Sequence, residues 1–196
     1  MASAKATKEV MARALAITKH MPDENPVMVE VGVFKGHLAE HLLGRVPSLR
    51  WHGVDNWLSA DDQPEDYKTT GDTHANATPE QVVRWRAEAH NTLKRFEKRA
   101  SIHEKSSVEA APDFADESID IVFLDGDHSY AGCLADLRAW WPKVRPGGWL
   151  GGHDYANPDP RFRYGVMVVK AVTEFANEVG LKYDLSGGMT YWFRKP

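Results

Sequence analysis

Ile119-Asp120-Ile121-Val122-Phe123-Leu124-Asp125-Gly126-Asp127-His128-Ser129-Tyr130 is an apolar run that ends abruptly in acids and a histidine. Residues 119–124 are rich in β-branched and aromatic side chains and too short for a stable helix, so they read as a buried strand. Tyr130, Leu134, Leu137 and Trp141 then recur at helical spacing, and Pro142 with Pro146-Gly147-Gly148 ends that helix. Trp149 to His153 reads as the next strand and runs directly into Asp154. Ligands of open α/β sheets bind beyond the carboxyl ends of the strands. Asp125, Asp127, His128, His153 and Asp154 are therefore expected to share one crevice.

The same alternation extends on both sides. Val10, Met11, Ala14 and Leu15 give a helix over about Thr7–His20, and Met21 to Pro26 breaks it with two prolines. Val27 to Val33 and Leu49 to Asp55 read as short buried strands, with a helix over His37–Leu43 between them. Thr78-Pro79-Glu80-Gln81 carries the start signals of a helix continued by Val82, Trp85, Ala89, Leu93 and Phe96. Ser101–Glu104 is a further strand, Ser106-Ser107 a turn before a short helix near 108–114, and Val168 to Val179 a helix capped by Gly180. Thr190–Phe193 closes the chain as a strand. Strands alternating with helices imply a mainly parallel sheet covered on both faces. Without an internal repeat or low-complexity tract, residues 1–196 are expected to form one domain. Residues 1–26 make an N-terminal helix and linker, and the acidic stretch 56–78 a candidate lid.

Composition narrows the partners. A hydrophobic fraction of 42% with 27% charged residues is that of a globular chain able to bury a substantial core. The net charge of −4 and scattered Lys and Arg argue against a nucleic-acid surface. No apolar run is long enough for a membrane span or a signal peptide, so a cytoplasmic location is expected. Cys133 is the one cysteine, which leaves no disulfide framework and no thiolate metal cage. The partner expected is a small-molecule acceptor, and self-association as a homodimer stays open.

Glu30-Val31-Gly32-Val33-Phe34-Lys35-Gly36 sits where the first strand turns into a helix, and glycine there lets the backbone approach a ligand. Asp55, at the end of the next strand, lies about 20 residues beyond Gly32, where an acid accepts hydrogen bonds from ribose hydroxyls. A dinucleotide fingerprint needs G-x-G-x-x-G. Here only Gly32 and Gly36 are present, and Glu30 would repel a pyrophosphate while suiting a cofactor with ammonium and sulfonium charges. A tight turn with no ligand is the plainer alternative.

Taken in order, Glu-x-Gly-x-x-x-Gly, Gly53-Val54-Asp55-Asn56-Trp57, the 119–130 stretch, Pro146-Gly147-Gly148 and Gly152-His153-Asp154 resemble the class I S-adenosylmethionine-dependent methyltransferases. The chain is most similar to their small-molecule O-methyltransferase branch, which includes sugar-modifying and natural-product enzymes. The resemblance runs from about Val27 to Tyr155. It implies a Rossmann-like, doubly wound, seven-stranded, mainly parallel sheet with an antiparallel last strand, and S-adenosyl-L-methionine as cofactor. It puts the methionine end near Glu30, Gly32 and Gly36, the ribose on Asp55, and the adenosine beside Asn56 or Trp57. Ser106 and Ser107 would flank adenine, with Asp125 also at the cofactor. Val33 and Phe34 depart from the pattern, since many methyltransferases have another glycine there.

The acceptor of such an enzyme must lose a proton or be polarised by a metal. His128 is the first choice for general base, because its ordinary pKa lets it accept a proton at neutral pH. Asp127 is the runner-up, as base or as the carboxylate orienting His128. Metal-dependent relatives use an acid after the fourth strand and a polar pair after the fifth, which implies Asp125, His153 and Asp154 as ligands. Such a set suits Mg²⁺, and imidazole would admit Mn²⁺, Fe²⁺ or Zn²⁺. Plainer readings stand beside these: Asp127 as a helix cap, Asp154 as a turn former, the histidines as loop residues. Arg161, Arg163 and Tyr164 either contact an acceptor or form a solvated loop. A nicotinamide-dependent oxidoreductase and a non-catalytic cofactor-binding module are the competing functions.

Overall fold

The computed structural model describes residues 4–158 and 163–196. Seven strands form one sheet: β1 (Val27–Val31), β2 (Arg50–Val54), β3 (Ala100–His103), β4 (Ile119–Leu124), β5 (Val144–Gly152), β6 (Asp184–Ser186) and β7 (Thr190–Arg194). Their order is β3-β2-β1-β4-β5-β7-β6, parallel from β3 through β5, with β7 antiparallel to both of its neighbours. The expected Rossmann-like sheet is thus observed, antiparallel last strand included.

Helices α1 (Ala4–Thr18), α2 (His37–Arg45) and α4 (Pro79–Leu93) cover one face; α5 (Ser107–Ala110), α6 (Tyr130–Trp140) and α7 (Tyr164–Val179) cover the other; α3 (Glu65–Lys68) is a single turn within the 56–78 segment. Strand alternation decides which side chain meets which layer. Val29, Val31, Val122 and Leu124 pack toward α6 and α7. Met28, Ile121 and Phe123 pack toward α1 and α2, with Trp51 of β2. β4 is buried along its whole length, and Asp120, the one polar residue in it, accepts from Val27 N at 2.7 Å and pairs with Arg145.

Local signals act as read. Thr78 and Gln81 form a reciprocal capping box at the start of α4, and Gly180 closes α7 at φ +67°. Three expectations are corrected. β5 begins at Val144 rather than Trp149, because a register shift opposite Ile119 and Ile121 takes up the Pro146-Gly147-Gly148 turn. On α1 the inward stripe is Val10, Arg13, Ala14 and Ile17, while Met11 and Leu15 are 48% and 61% exposed. β6 had no signal in the sequence; it is three residues on an exposed edge. No helix among the described residues is long and apolar enough to cross a membrane.

Beyond the strand ends the ladder continues for one more hydrogen bond each. Gly32 N donates to Val54 O at 2.9 Å, Asp125 N to Val31 O at 2.8 Å, and His153 N to Leu124 O at 3.0 Å. The acid-bearing loops after β1, β4 and β5 are therefore fixed side by side.

Candidate active site

These loops floor a cavity of about 890 Å³, lined among others by Glu30, Gly32, Asp55, Ser106, Asp127 and Asp154. Four of its lining residues, Phe34, Trp57, Asp154 and Met189, are non-glycines at φ 54°, 45°, 58° and 56°. Such left-handed residues persist only where their surroundings hold them, and they gather at functional sites.

Gly32 shows why the first loop needs glycine. It sits at φ +89°, and a Cβ there would lie 2.1 Å from Asp125 O. The departure at Val33 and Phe34 also has a physical account. Asp55 Oδ2 accepts from Val33 N and Phe34 N, both at 2.9 Å, and Oδ1 from Trp57 N at 2.8 Å. Trp57 Nε1 donates to Phe34 O at 2.9 Å. Asp55 and Trp57 thus staple the loop that another glycine would otherwise relax. Burial pushes the Asp55 carboxyl up in spite of these bonds.

Glu30 points to the α1 side of the sheet and accepts from Trp51 Nε1 at 2.8 Å. Burial drives its pKa to about 8, against the Trp51 hydrogen bond and the nearby Arg13 charge. Ser107 Oγ accepts from Trp140 Nε1 at 2.9 Å, and Ser106 bonds Glu109 in a capping box. Both serines line the cavity through the turn they build. Asn56 lines the same wall.

The loops after β4 and β5 bring four side chains together. His128 Nε2 lies 3.5 Å from Asp125 Oδ1 and 3.3 Å from Asp154 Oδ2. His153 Nδ1 lies 2.9 Å from Asp154 Oδ2 and 3.4 Å from Asp125 Oδ1. Burial penalises each charge, but mutual attraction outweighs it. Asp125 and Asp154 are held below the usual carboxylate range, His128 well above 6.5, and His153 at about 9.

Asp127 faces elsewhere: Oδ1 accepts from Ser129 N at 2.7 Å, and the carboxylate packs against Gly132 of α6. The carboxylate on His128 is Asp72, whose Oδ2 lies 2.9 Å from Nδ1. A second unforeseen group is Arg13 of α1, ion-paired with Asp125 Oδ2. Arg13 was legible as a cation interrupting the stripe Val10, Ala14, Ile17; nothing separates Asp72 from Asp61, Asp62 and Asp66 in sequence. Tyr164 lines the cavity with its ring 5.2 Å from that of His128, and Arg163 lines a smaller neighbouring pocket; Arg161 lies outside the described residues.

Asp125, His128 and Asp154 each present one donor atom, all within 4.8 Å of one another. Donors about 2.1–2.3 Å from one octahedral ion lie about 3.0–3.3 Å apart. The observed separations of 3.3 and 3.5 Å are within a few tenths of that, and His128 Nε2 is buried without a hydrogen-bond partner. The residues fit a divalent cation.

A profile of the methyltransferase domain family matches residues 29–155, which include the site loops after β1, β2, β4 and β5, while Arg13, Tyr164 and Met189 lie outside it. The chain belongs to this family. Its strand order β3-β2-β1-β4-β5-β7-β6 is the one expected of the class I S-adenosylmethionine-dependent methyltransferases, which sets aside the nicotinamide reading. An uncharacterised protein of Sinorhizobium fredii, y4gI, is 33% identical over 123 residues; the match covers 62% of this chain and 13% of that much longer protein. Solved structures share the methyltransferase fold at low identity. One described as a caffeoyl-CoA O-methyltransferase of Staphylococcus aureus has a TM-score of 0.64 at 10% identity, covering 100% of this chain and 85% of that one. The O-methyltransferase NovP gives 0.61 at 14%, covering 97% and 79%. A SAM-dependent methyltransferase of Aquifex aeolicus gives 0.60 at 12%, covering 96% and 91%.

Proposed function

We propose that this methyltransferase transfers a methyl group to a hydroxyl of a small, uncharged, polyhydroxylated acceptor such as a sugar, with help from a divalent metal. The observation that carries the reading is the convergence of Asp125 Oδ1, Asp154 Oδ2 and His128 Nε2 on one point of the cavity floor. When bound, S-adenosylmethionine supplies an electrophilic methyl group and the cation supplies charge that acidifies a hydroxyl.

The chain's own residues do the rest. Gly32 and the Asp55-stapled loop present backbone to the cofactor, and Glu30 offers a carboxyl to its ammonium group. Asp125 and Asp154 would hold the cation, with His153 Nδ1 beside the same oxygens, Asp125 Oδ1 and Asp154 Oδ2. His128 Nε2 takes the hydroxyl proton. Beside the bare carboxylates its raised pKa keeps His128 protonated, so it can accept a proton only where a bound cation would offset Asp125 and Asp154. Positioning supplies much of the remaining acceleration.

Acidic side chains on the cavity wall, Glu9, Glu30, Asp55, Asp62, Asp72, Asp125, Asp127, Asp136 and Asp154, outnumber Arg13, Lys105, His128 and His153. Such a field disfavours phosphorylated or carboxylated acceptors. A second reading is favoured by the same geometry: His128 Nε2 is itself the third metal donor.

Methyl transfer from S-adenosylmethionine to a panel of neutral sugars and polyols, with and without Mg²⁺, tests the proposal. Turnover that needs metal and prefers neutral acceptors supports it. Full activity in EDTA, or a preference for phosphorylated acceptors, overturns it. His128→Ala separates the two readings: weaker Mn²⁺ binding marks a ligand, unchanged binding with lost turnover marks a base.

A further inference from the structure

We propose that Asp72 is the positioning residue of this site, accepting the Nδ1 proton of His128 so that Nε2 is presented to Asp125 and Asp154. The inference deepens the reading above, since it concerns how His128 is held for either of its two roles.

Asp72 is 4% exposed and its carboxylate carries four contacts. Oδ2 lies 2.9 Å from His128 Nδ1 and accepts from Tyr67 OH at 3.0 Å. Oδ1 accepts from His74 N at 2.8 Å and lies 3.0 Å from His74 Nδ1. Its own N–H donates to Thr70 Oγ1 at 3.2 Å. An ionised carboxylate only accepts hydrogen bonds. The His128 nitrogen facing it must therefore carry a proton, in either charge state of the ring. In the neutral ring this leaves the lone pair on Nε2, the atom buried without a partner between Asp125 and Asp154. A histidine's working nitrogen is set by the hydrogen bond its other nitrogen makes.

Asp72 belongs to the 56–78 segment, not to a strand end. Tyr67 OH, on the same segment, lies 3.0 Å from Asp72 and 3.1 Å from Gly126 O in the loop after β4. The single proton of this hydroxyl is shared between Asp72 and Gly126 O, which ties the segment to the catalytic loop beside the carboxylate that orients the imidazole. Docking of the segment and orientation of His128 are a single event, so a cover that leaves the site also disarms it.

The test is imidazole ¹⁵N NMR on the full-length protein, with calorimetry of S-adenosylhomocysteine binding and steady-state kinetics. Wild type is expected to show a His128 Nδ1 proton protected from exchange. Asp72→Asn should lose that protection and lower kcat by about 10–100-fold, as loss of an orienting partner does. Cofactor affinity should stay within about twofold, and Asp72→Glu should recover part of kcat. A His128 Nδ1 without a proton in wild type overturns the proposal even if Asp72→Asn does not fold. So does unchanged protection in Asp72→Asn, or parallel loss of cofactor binding and turnover. Full activity in His128→Ala would instead defeat the function proposed for His128, leaving the Asp72 contact to be judged by NMR.

Discussion

Arg13, on the N-terminal helix, is ion-paired with Asp125 at the carboxyl end of β4. The two oxygens of Asp125 therefore serve different neighbours: Oδ2 the guanidinium, Oδ1 the two imidazoles. Arg13 lies outside residues 29–155, so the site draws on a helix beyond the family's matched region.

Removing Arg13 leaves Asp125 Oδ2 buried without its partner, while Oδ1 keeps the two imidazoles. Arg13→Ala is expected to destabilise the protein by about 2 kcal/mol and to cut turnover at least about tenfold. Arg13→Lys should recover stability more fully than activity, because lysine keeps the charge but not the fork. Urea unfolding and initial rates measure both.

Glu30 predicts a pH dependence. Its carboxyl ordinarily titrates at 4.5 and is raised to about 8 by burial, so the folded state holds this proton more tightly than the unfolded chain. Stability therefore falls as pH rises from about 4.5 to about 8. Glu30→Gln removes that loss: without cofactor its Tm should exceed wild type by roughly 5 °C at pH 8.5 and match it near pH 4.5. Scanning fluorimetry across pH reads this directly, and equal Tm curves would show that Glu30 is not held neutral.

Metal dependence makes a third case. Asp125→Asn and Asp154→Asn are each expected to lower turnover by roughly a hundredfold or more and to weaken Mn²⁺ binding in calorimetry. EDTA should abolish activity, and added Mg²⁺ or Mn²⁺ should restore it.

At Gly32 the expectation is steric. With its virtual Cβ 2.1 Å from Asp125 O at φ +89°, Gly32→Ala should fail to accumulate as folded protein, whereas Gly44→Ala, with open space around it, should be neutral. Soluble yield and Tm of the pair decide this.

How much of this was legible before the structure depends on the range of the interaction. Ile119–Leu124 declared itself because a strand buried on both faces is mostly apolar, here interrupted by Asp120 alone, and Thr78 with Gln81 because capping is local. The Pro146-Gly147-Gly148 turn misled because its cost is met by a bulge and by pairing with β7, both distant in sequence. Met11 and Leu15 misled because hydrophobicity does not say which of two adjacent stripes will face the sheet. Asp125, His128 and Asp154 could be brought together by topology alone, each standing at a strand end. Asp72 could not, since only the path of the 56–78 segment carries it to His128.

That path bears on efforts to broaden the acceptor range. Surface segments over a binding cleft are the usual targets for exchange between homologues, because they shape the guest while leaving the chemistry untouched. Here such a graft would take Tyr67 and Asp72 away with the old cover, and a chimera would open onto new compounds with its imidazole adrift. Keeping those two positions through any exchange is the condition for retaining a working catalyst.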